Sequence, residues 1–522
     1  MKISATLLRN TEMLRAFVNK EQILVNSYVL KKIKDEYGEI ETEKAFYRYK
    51  DLMYKYGMYR LIDDSHDFEI IYNSFSETFE YEELFMIAQY APELNVICDE
   101  VIDLYTKLMK DNVASVLIAE AESFTKRIKD IIKSHSNCNF VLTSTNILNY
   151  DILQSIFKGY NNVSIKNENI YEYNFINEKF DLIFSIPTFG GKVPYNKLQN
   201  FICREYDSIA LENLLLHLNQ DGKLGIVLPA RITFAGGATE KLRNFIQSMY
   251  KIEEISELPP GIFKNTAIKT YFLTIATGQT DDISIKRYCW EGNTNKFISN
   301  DDTFIMSSEL EAIGDWNVDK IFAMQDDDWK KYQNSDLKKI KLGDVATSFR
   351  GKVITQKENV GSIGVIGISN INNISIDYTN IDFIEEDFRK VNNYILNDGD
   401  LLLSARGTTI KTAVFKKQAY PCIASSNLIV VRPKETKLIA TYLKIFLDSP
   451  IGVKLIKSIQ QGTNLVNISY KDLINIEIPI LPIEEQKVIS EEYEKELSLY
   501  QNTINTANDR WQDVIRELQN KF

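Results

Sequence analysis

Histidine is nearly absent from the chain: three in 522 residues, His66, His135 and His217, too far apart in sequence to suggest a ligand pair. The five cysteines, Cys98, Cys138, Cys203, Cys289 and Cys422, never fall at Cys-x-x-Cys spacing, so neither a metal site nor a disulfide framework is expected. Proline is scarce at 11, and there is no repeat or low-complexity tract, which excludes a disordered or fibrous chain. No apolar run approaches the ~18 residues of a membrane span. The start, Met1-Lys-Ile-Ser-Ala-Thr-Leu-Leu, lacks the apolar stretch of a signal peptide. These absences point to a cytoplasmic protein with reduced thiols and no membrane contact. A basic excess is missing too. With 61 Lys and Arg against 72 Asp and Glu, the net charge is -11, so any polyanion must be met by locally basic faces.

What is present is the composition of a folded protein, 44% hydrophobic and 25% charged, long enough for about three domains. Residues 1–108 read as a helical N-terminal domain, with apolar residues at helical spacing in Ile23–Ile33 and Val101–Met109. In residues 109–280 short apolar strands alternate with helices: Ala114–Ile118, Phe140–Leu142, Val163–Ile165, Asp181–Phe184, Lys223–Leu228, Ile252–Ser256 and, after the turn Pro259-Pro260-Gly261, Ile268–Ala276. Alternating β and α units predict a mostly parallel, Rossmann-like sheet covered on both faces. Residues 281–337, with the acidic run Asp326–Asp328, read as a connecting segment, and residues 338–482 as a separate α+β domain. After Pro482 a helix can run almost to Phe522, the segment 483–522. Ile489, Tyr493, Leu497, Tyr500, Ile504, Ala507, Trp511, Val514 and Leu518 recur in it at steps of three and four, the seam of a coiled coil. The other reading of that stripe is an amphipathic helix folded back on its own domain.

Residues Phe180–Lys192, Phe-Asp-Leu-Ile-Phe-Ser-Ile-Pro-Thr-Phe-Gly-Gly-Lys, closely resemble the active-site strand and loop of an adenine-N6 DNA methyltransferase. In that family the loop is Asn-Pro-Pro-Phe, whose Asn amide and Pro carbonyl accept hydrogen bonds from a flipped adenine while the aromatic stacks on it. Here the four positions are Ile186, Pro187, Thr188 and Phe189, and Ile accepts no hydrogen bond. Pro187, Phe189 and Gly190-Gly191 read best as packing and turn residues. Gln89-Tyr-Ala-Pro92 is similar to the family's entry motif. Asn219-Gln-Asp-Gly-Lys-Leu-Gly-Ile-Val-Leu-Pro229, Leu242-Arg-Asn-Phe and Leu258-Pro-Pro-Gly-Ile-Phe-Lys-Asn-Thr-Ala-Ile-Lys-Thr270 resemble methyltransferase subunits of type I restriction-modification systems. The resemblance implies a turn after the first strand whose glycines admit S-adenosylmethionine. That turn reads Ala119-Glu120-Ala121-Glu122-Ser123, with no glycine and two added carboxylates. The acid that would hold the ribose falls in Leu142–Thr145, which has none, and only Glu168 stands near the place of the Asp that contacts adenine. The expectation is a pseudo-methyltransferase without catalytic residues, cofactor or metal.

Lys338 onward carries Leu342-Gly-Asp-Val, Phe349-Arg-Gly-Lys352, Asn397-Asp-Gly-Asp-Leu-Leu-Leu-Ser-Ala-Arg-Gly-Thr408, Ala424-Ser-Ser-Asn427, Asp448-Ser-Pro-Ile-Gly452, Gln461-Gly-Thr463, Ile468-Ser-Tyr-Lys-Asp-Leu473 and Ile480-Leu-Pro-Ile-Glu-Glu-Gln486. In this order they resemble one target-recognition domain of a type I specificity subunit. Basic residues cluster here: Lys338, Lys339, Lys341, Arg350, Lys352 and Lys357 against Asp344, then Arg406, Lys411, Lys416 and Lys417 with no acid between Ser404 and Lys417. Such clusters suit phosphate neutralisation. By resemblance, Arg350, Lys352, Ser404, Arg406, Gly407, Thr408, Lys411, Gln461, Gly462, Thr463 and Asn464 lie on loops near DNA. Arg350 or Arg406 would read guanine, and Gln461 or Asn464 adenine. The other reading of Arg406 is an ion pair with Asp400. For Lys416 and Lys417 a solvated edge is preferred over a contact, and for Ala424-Ser-Ser-Asn427 a turn. Together these features predict a sequence-specific double-stranded DNA-binding protein. It would pair, as a homodimer or with a related methyltransferase or specificity subunit, through the C-terminal helix. The alternatives are an active S-adenosylmethionine-dependent adenine-N6 methyltransferase and a protein-interaction scaffold.

Overall fold

The segments Val116-Leu117-Ile118 and Leu182-Ile183-Phe184 are apolar at every position, the pattern of strands buried on both faces, and all six residues are at most 1% exposed. A computed structural model describes residues 3–522 apart from 39, 59–61, 91–98, 125–126, 196–199, 264–267, 279–281, 293–295, 355–360, 373–374, 407–409 and 462–466. The chain divides into two units, Met1–Val318 and Asp319–Phe522.

In the first unit β1 (Ser115–Ala119), β2 (Asn139–Thr143), β3 (Val163–Lys166), β4 (Phe180–Ser185), β5 (Leu218–Pro229), β6 (Lys251–Glu257), β7 (Thr270–Ala276), β8 (Asp282–Trp290) and β9 (Phe297–Met306) form one sheet in the order β3-β2-β1-β4-β5-β7-β6-β8-β9. The pairs from β3 across to β5 are parallel, and β7 runs antiparallel to both β5 and β6. Strand order reverses between β1 and β4, the switch point where open α/β sheets receive ligands. The helices Ala5–Leu14, Ile23–Tyr37, Thr42–Lys55, Ser65–Ser74 and Asp99–Thr106 share one hydrophobic core with the sheet. Tyr105 anchors that core, edge-on to Phe124, Phe184 and Phe272 at 4.9, 5.1 and 5.0 Å. The joint expected over 281–337 is corrected in its first half. Residues 282–290 and 297–306 are β8 and β9, with β8 parallel to β6 and β9 at the sheet edge.

The second unit contains β10 (Lys339–Lys341), β11 (Ala346–Arg350), β12 (Ile363–Ile366), β13 (Asp382–Ile384), β14 (Leu401–Ser404), β15 (Thr412–Val414), β16 (Cys422–Ala424), β17 (Leu428–Pro433), β18 (Gln460–Gln461), β19 (Asn467–Ile468) and β20 (Glu477–Pro479). A four-stranded sheet β11-β17-β14-β15 and a three-stranded sheet β13-β12-β16 make its body, and β10 pairs with β20. The acidic run is a helix start. Asp326 caps Asp327–Gln333, accepting from Asp328 N and Trp329 N at 3.0 and 3.1 Å, and pairs with Lys454 at 2.6 Å.

The helix Ile483–Gln519 follows Pro482. Its first turns are docked. The Gln486 side chain is buried, accepts from Ile439 N at 3.0 Å and donates to Lys437 O and Leu481 O at 3.1 and 2.8 Å. Thr441 Oγ1 donates to Glu494 Oε1 at 2.9 Å. Beyond Glu494 the apolar stripe stands in solvent: Tyr500, Ile504, Trp511, Val514 and Leu518 are exposed, Trp511 by 61%. The stripe is therefore not folded back onto its own unit. No helix among the described residues is long and apolar enough to cross a membrane.

Candidate functional site

β1 ends at Ala119, level with Thr143 of β2 and Ser185 of β4. The chain then turns through Glu120 at φ 57°. Glycine adopts this left-handed conformation freely, whereas another residue does so at a cost of about 1 kcal/mol. The backbone thus turns as a glycine would while carrying a carboxylate. Glu122 is 5% exposed, and its Oε1 accepts from Ser144 Oγ and Asn149 Nδ2, both at 3.0 Å. Glu120 Oε1 accepts from Thr145 Oγ1 at 2.6 Å. Burial, and then the charge of Glu120, push the Glu122 carboxyl up to about 8, and burial raises Glu120 as well. Glu168 lies just past β3, half-buried. S-adenosylmethionine brings an anionic methionine end and a ribose diol. The turn offers the first no glycine and no cation, only two acid side chains, and Ser144 and Thr145, at the place expected for the ribose acid, already donate to those side chains. These residues do not fit that group.

The loop after β4 is fastened on all sides. Tyr105 Oη donates to Ser185 O at 2.7 Å. Ile186 is 1% exposed and Pro187 is buried beside it. Thr188 N donates to Tyr171 Oη at 2.8 Å and Gly190 N to Asp207 Oδ2 at 2.9 Å. Gly191 has φ 68°, and a Cβ there would sit 2.9 Å from the Tyr206 ring. Phe189 meets Phe263 edge-on at 5.2 Å. The ring that would stack on a substrate base is thus packed on a neighbour, and the side chain at the amide position lies in the hydrophobic core. In this loop Pro187 is buried, Phe189 packs on Phe263, and Gly190 and Gly191 take positive φ. Of Gln89-Tyr-Ala-Pro92, residues 91 and 92 lie outside the described residues.

Residues 338–482 hold 19 Lys and Arg against 13 Asp and Glu, a net +6 within a chain of -11. The segment Phe349-Arg-Gly-Lys352 lies against the turn Ala424-Ser-Ser-Asn427. Gly351 N donates to Leu428 O and Lys352 N to Ala424 O at 3.0 and 2.9 Å. A Cβ on Gly351 would stand 2.2 Å from Ser425 O, so glycine is required by contact rather than by dihedral. Arg350 donates from Nε to Ser426 O at 2.8 Å and from Nη2 to Asn467 Oδ1 at 2.9 Å. Burial, and then the charge of Arg406, lower its pKa. Those bonds commit much of the guanidinium expected to read guanine to joining β11 to β19.

Arg406 has the opposite fate. Its backbone bridges to Asn467, and its side chain is exposed with no partner among the described residues. The alternative pairing with Asp400 is corrected. Asp400 is buried and bonds Arg432 at 2.8 and 2.7 Å, because the register Leu401↔Val431 of β14 and β17 brings those two together. Lys352 pairs with Glu386 at 3.5 Å. Lys411 Nζ donates to Ile371 O at 2.8 Å, and its N to the buried Ser404 Oγ at 2.9 Å. Lys416 and Lys417 are exposed. Gln461 belongs to β18, while Gly407, Thr408, Gly462, Thr463 and Asn464 lie outside the described residues. Asn467, Arg432 and Asn149 escape sequence reasoning, since none carries a motif or a charge cluster.

The N-6 DNA Methylase family matches residues 133–359, and the type I restriction modification DNA specificity domain matches residues 334–506. Two specificity subunits of Methanocaldococcus jannaschii type I restriction enzymes are similar. That of MjaX is 27% identical over 198 residues, 34% of this chain and 45% of the relative. That of MjaVIII is 32% identical over 129 residues, 24% of this chain and 28% of the relative. The chain thus spans less than half the length of either. Among solved structures, the methyltransferase subunit of a Streptococcus thermophilus type I restriction-modification system aligns over 60% of this chain and 97% of that one, at 14% identity and a TM-score of 0.43. Residues 133–359 belong to the N-6 DNA methylase family and residues 334–506 to the type I restriction-modification specificity domain family, so the chain joins a methyltransferase-type body to one specificity-type domain.

Proposed function

We propose that the protein binds double-stranded DNA at a defined sequence and transfers no methyl group, serving a restriction-modification, phage-defence or mobile-element system. The observation that carries this reading is Ile186, held 1% exposed where the family's amide grips adenine. The buried Glu122 with its two donors supports it at the cofactor turn. Recognition is assigned to the second unit, supported by its net positive charge and by the exposed Arg406, which has no partner among the described residues. A single specificity-type domain with a single long helix is half of a two-part reader. The exposed stripe Tyr500–Leu518 supports pairing with a second copy or a related subunit, which would give a two-part DNA footprint.

Two measurements test the reading. Calorimetry with S-adenosylmethionine is expected to give no saturable heat at micromolar protein, and saturable binding there favours an active adenine-N6 methyltransferase instead. A gel shift on genomic fragments is expected to appear at low salt and fade as salt rises. Absence of any shift at low salt favours a scaffold that contacts only proteins.

A further inference from the structure

The chain on either side of residues 196–199 carries a feature that the reading above does not use. Lys192 and Glu205 form an antiparallel bridge, and Val193 N donates to Arg204 O at 2.8 Å. Arg204 Nε and Nη2 both donate to Val193 O, at 3.1 and 3.0 Å, which fixes the plane of the guanidinium. Its Cζ lies 3.4 Å from the centroid of the Tyr195 ring, a stacking distance well inside the ~6 Å reach of a cation–π contact. Tyr195 is nevertheless 76% exposed. One face of the ring is backed by a fixed cation, and the structure records no other contact to the ring among the described residues. Val193, which accepts both Arg204 bonds, belongs to a small hydrophobic cluster with Phe201, Ile209, Tyr171 and Tyr206.

The outward charge around this ring is positive. Lys192 is exposed and Arg231 half-buried, and both pair with the buried Glu205, at 3.4 and 3.0 Å. The segment follows β4 at the carboxyl ends of the parallel strands, beside the switch point. Phe189 on the same loop is turned onto Phe263, so Tyr195 is the ring that this loop offers to solvent. A flat π-surface over a fixed guanidinium, flanked by cations, suits a base attached to an anionic backbone. We propose that Tyr195 and Arg204 form a stacking platform for an unpaired DNA base, an inference that rests on the DNA-binding reading above.

The test measures binding of the full chain to three fluorescent probes: a paired duplex, the same duplex with one unpaired adenine, and its single strand. Wild-type protein is expected to bind the bulged duplex about tenfold tighter than the paired one. Tyr195→Ala is expected to lose that preference while keeping its melting temperature and its paired-duplex affinity, and Tyr195→Phe to retain it. Equal affinity of the wild type for the two duplexes, or a preference that survives in Tyr195→Ala, overturns the platform and leaves the DNA-binding reading standing. Failure of the wild type to bind any of the three probes removes both.

Discussion

Glu122 gives the sharpest handle on this molecule. In the unfolded chain its carboxyl loses its proton near the ordinary carboxylate range, about 4.5, whereas in the folded protein burial holds the proton on until about 8. Between those values folding takes up a proton, so raising the pH opposes folding. The slope for one proton is about 1.4 kcal/mol per pH unit, and over the window it adds up to several kcal/mol at most. Glu122→Gln removes the titration, and the amide oxygen keeps both accepted bonds, from Ser144 Oγ and Asn149 Nδ2. At about 2 °C per kcal/mol for a unit of this size, the variant is expected to melt close to wild type near pH 5 and several degrees above it near pH 8. Scanning calorimetry of both proteins across that range, at fixed ionic strength, reads the difference directly. A gap that stays constant with pH would show that Glu122 is ionised in the fold, and would refute the account of the turn as a buried, proton-holding site.

Arg350→Ala should lower the melting temperature of the second unit by the equivalent of ~1–3 kcal/mol, because Ser426 O and Asn467 Oδ1 lose their donors. Arg406→Ala should leave melting unchanged and weaken DNA binding about tenfold in a salt titration, and the reverse pattern would exchange the two roles. Asp400→Asn should cost ~1–3 kcal/mol in denaturant unfolding, since the buried position loses its charge-assisted bonds to Arg432; an unchanged midpoint would dismiss the pair as a stabilising element. Trp511→Glu, on the exposed stripe, should convert a wild-type dimer to monomer in light scattering without shifting the melt. A wild type that is already monomeric at high concentration would count against self-pairing.

The parallel half of the sheet was legible because its strands are apolar on both faces: Ala114–Ile118 as read became Ser115–Ala119 as found. β8 was not, although Ile283 and Ile285 alternate inward. A strand near the sheet edge keeps one solvated face, so Asp282, Ser284, Lys286 and Arg287 make the segment read as a polar joint. In the site, the Ile186 substitution could be seen in the sequence alone. The bonds that bury Glu122 could not, because they depend on β1 and β2 lying level at Ala119 and Thr143. The alternative reading of Arg406, a pair with Asp400, rests on nearness in sequence. Strand pairing gave that acid to Arg432, 32 positions away, and no local pattern announces such a choice.

Strands β10 and β20 pair Lys339 with Pro479 and Lys341 with Glu477, and Ile480 N closes the seam on Lys338 O at 2.9 Å. The polypeptide therefore comes into the recognition body and departs from it at neighbouring points. A module closed in this way can be exchanged for another of the same span where the replacement keeps the contacts of Lys454 to Asp326 and of Thr441 to Glu494. On the DNA-binding reading proposed above, replacing one such cassette would change the sequence that is read.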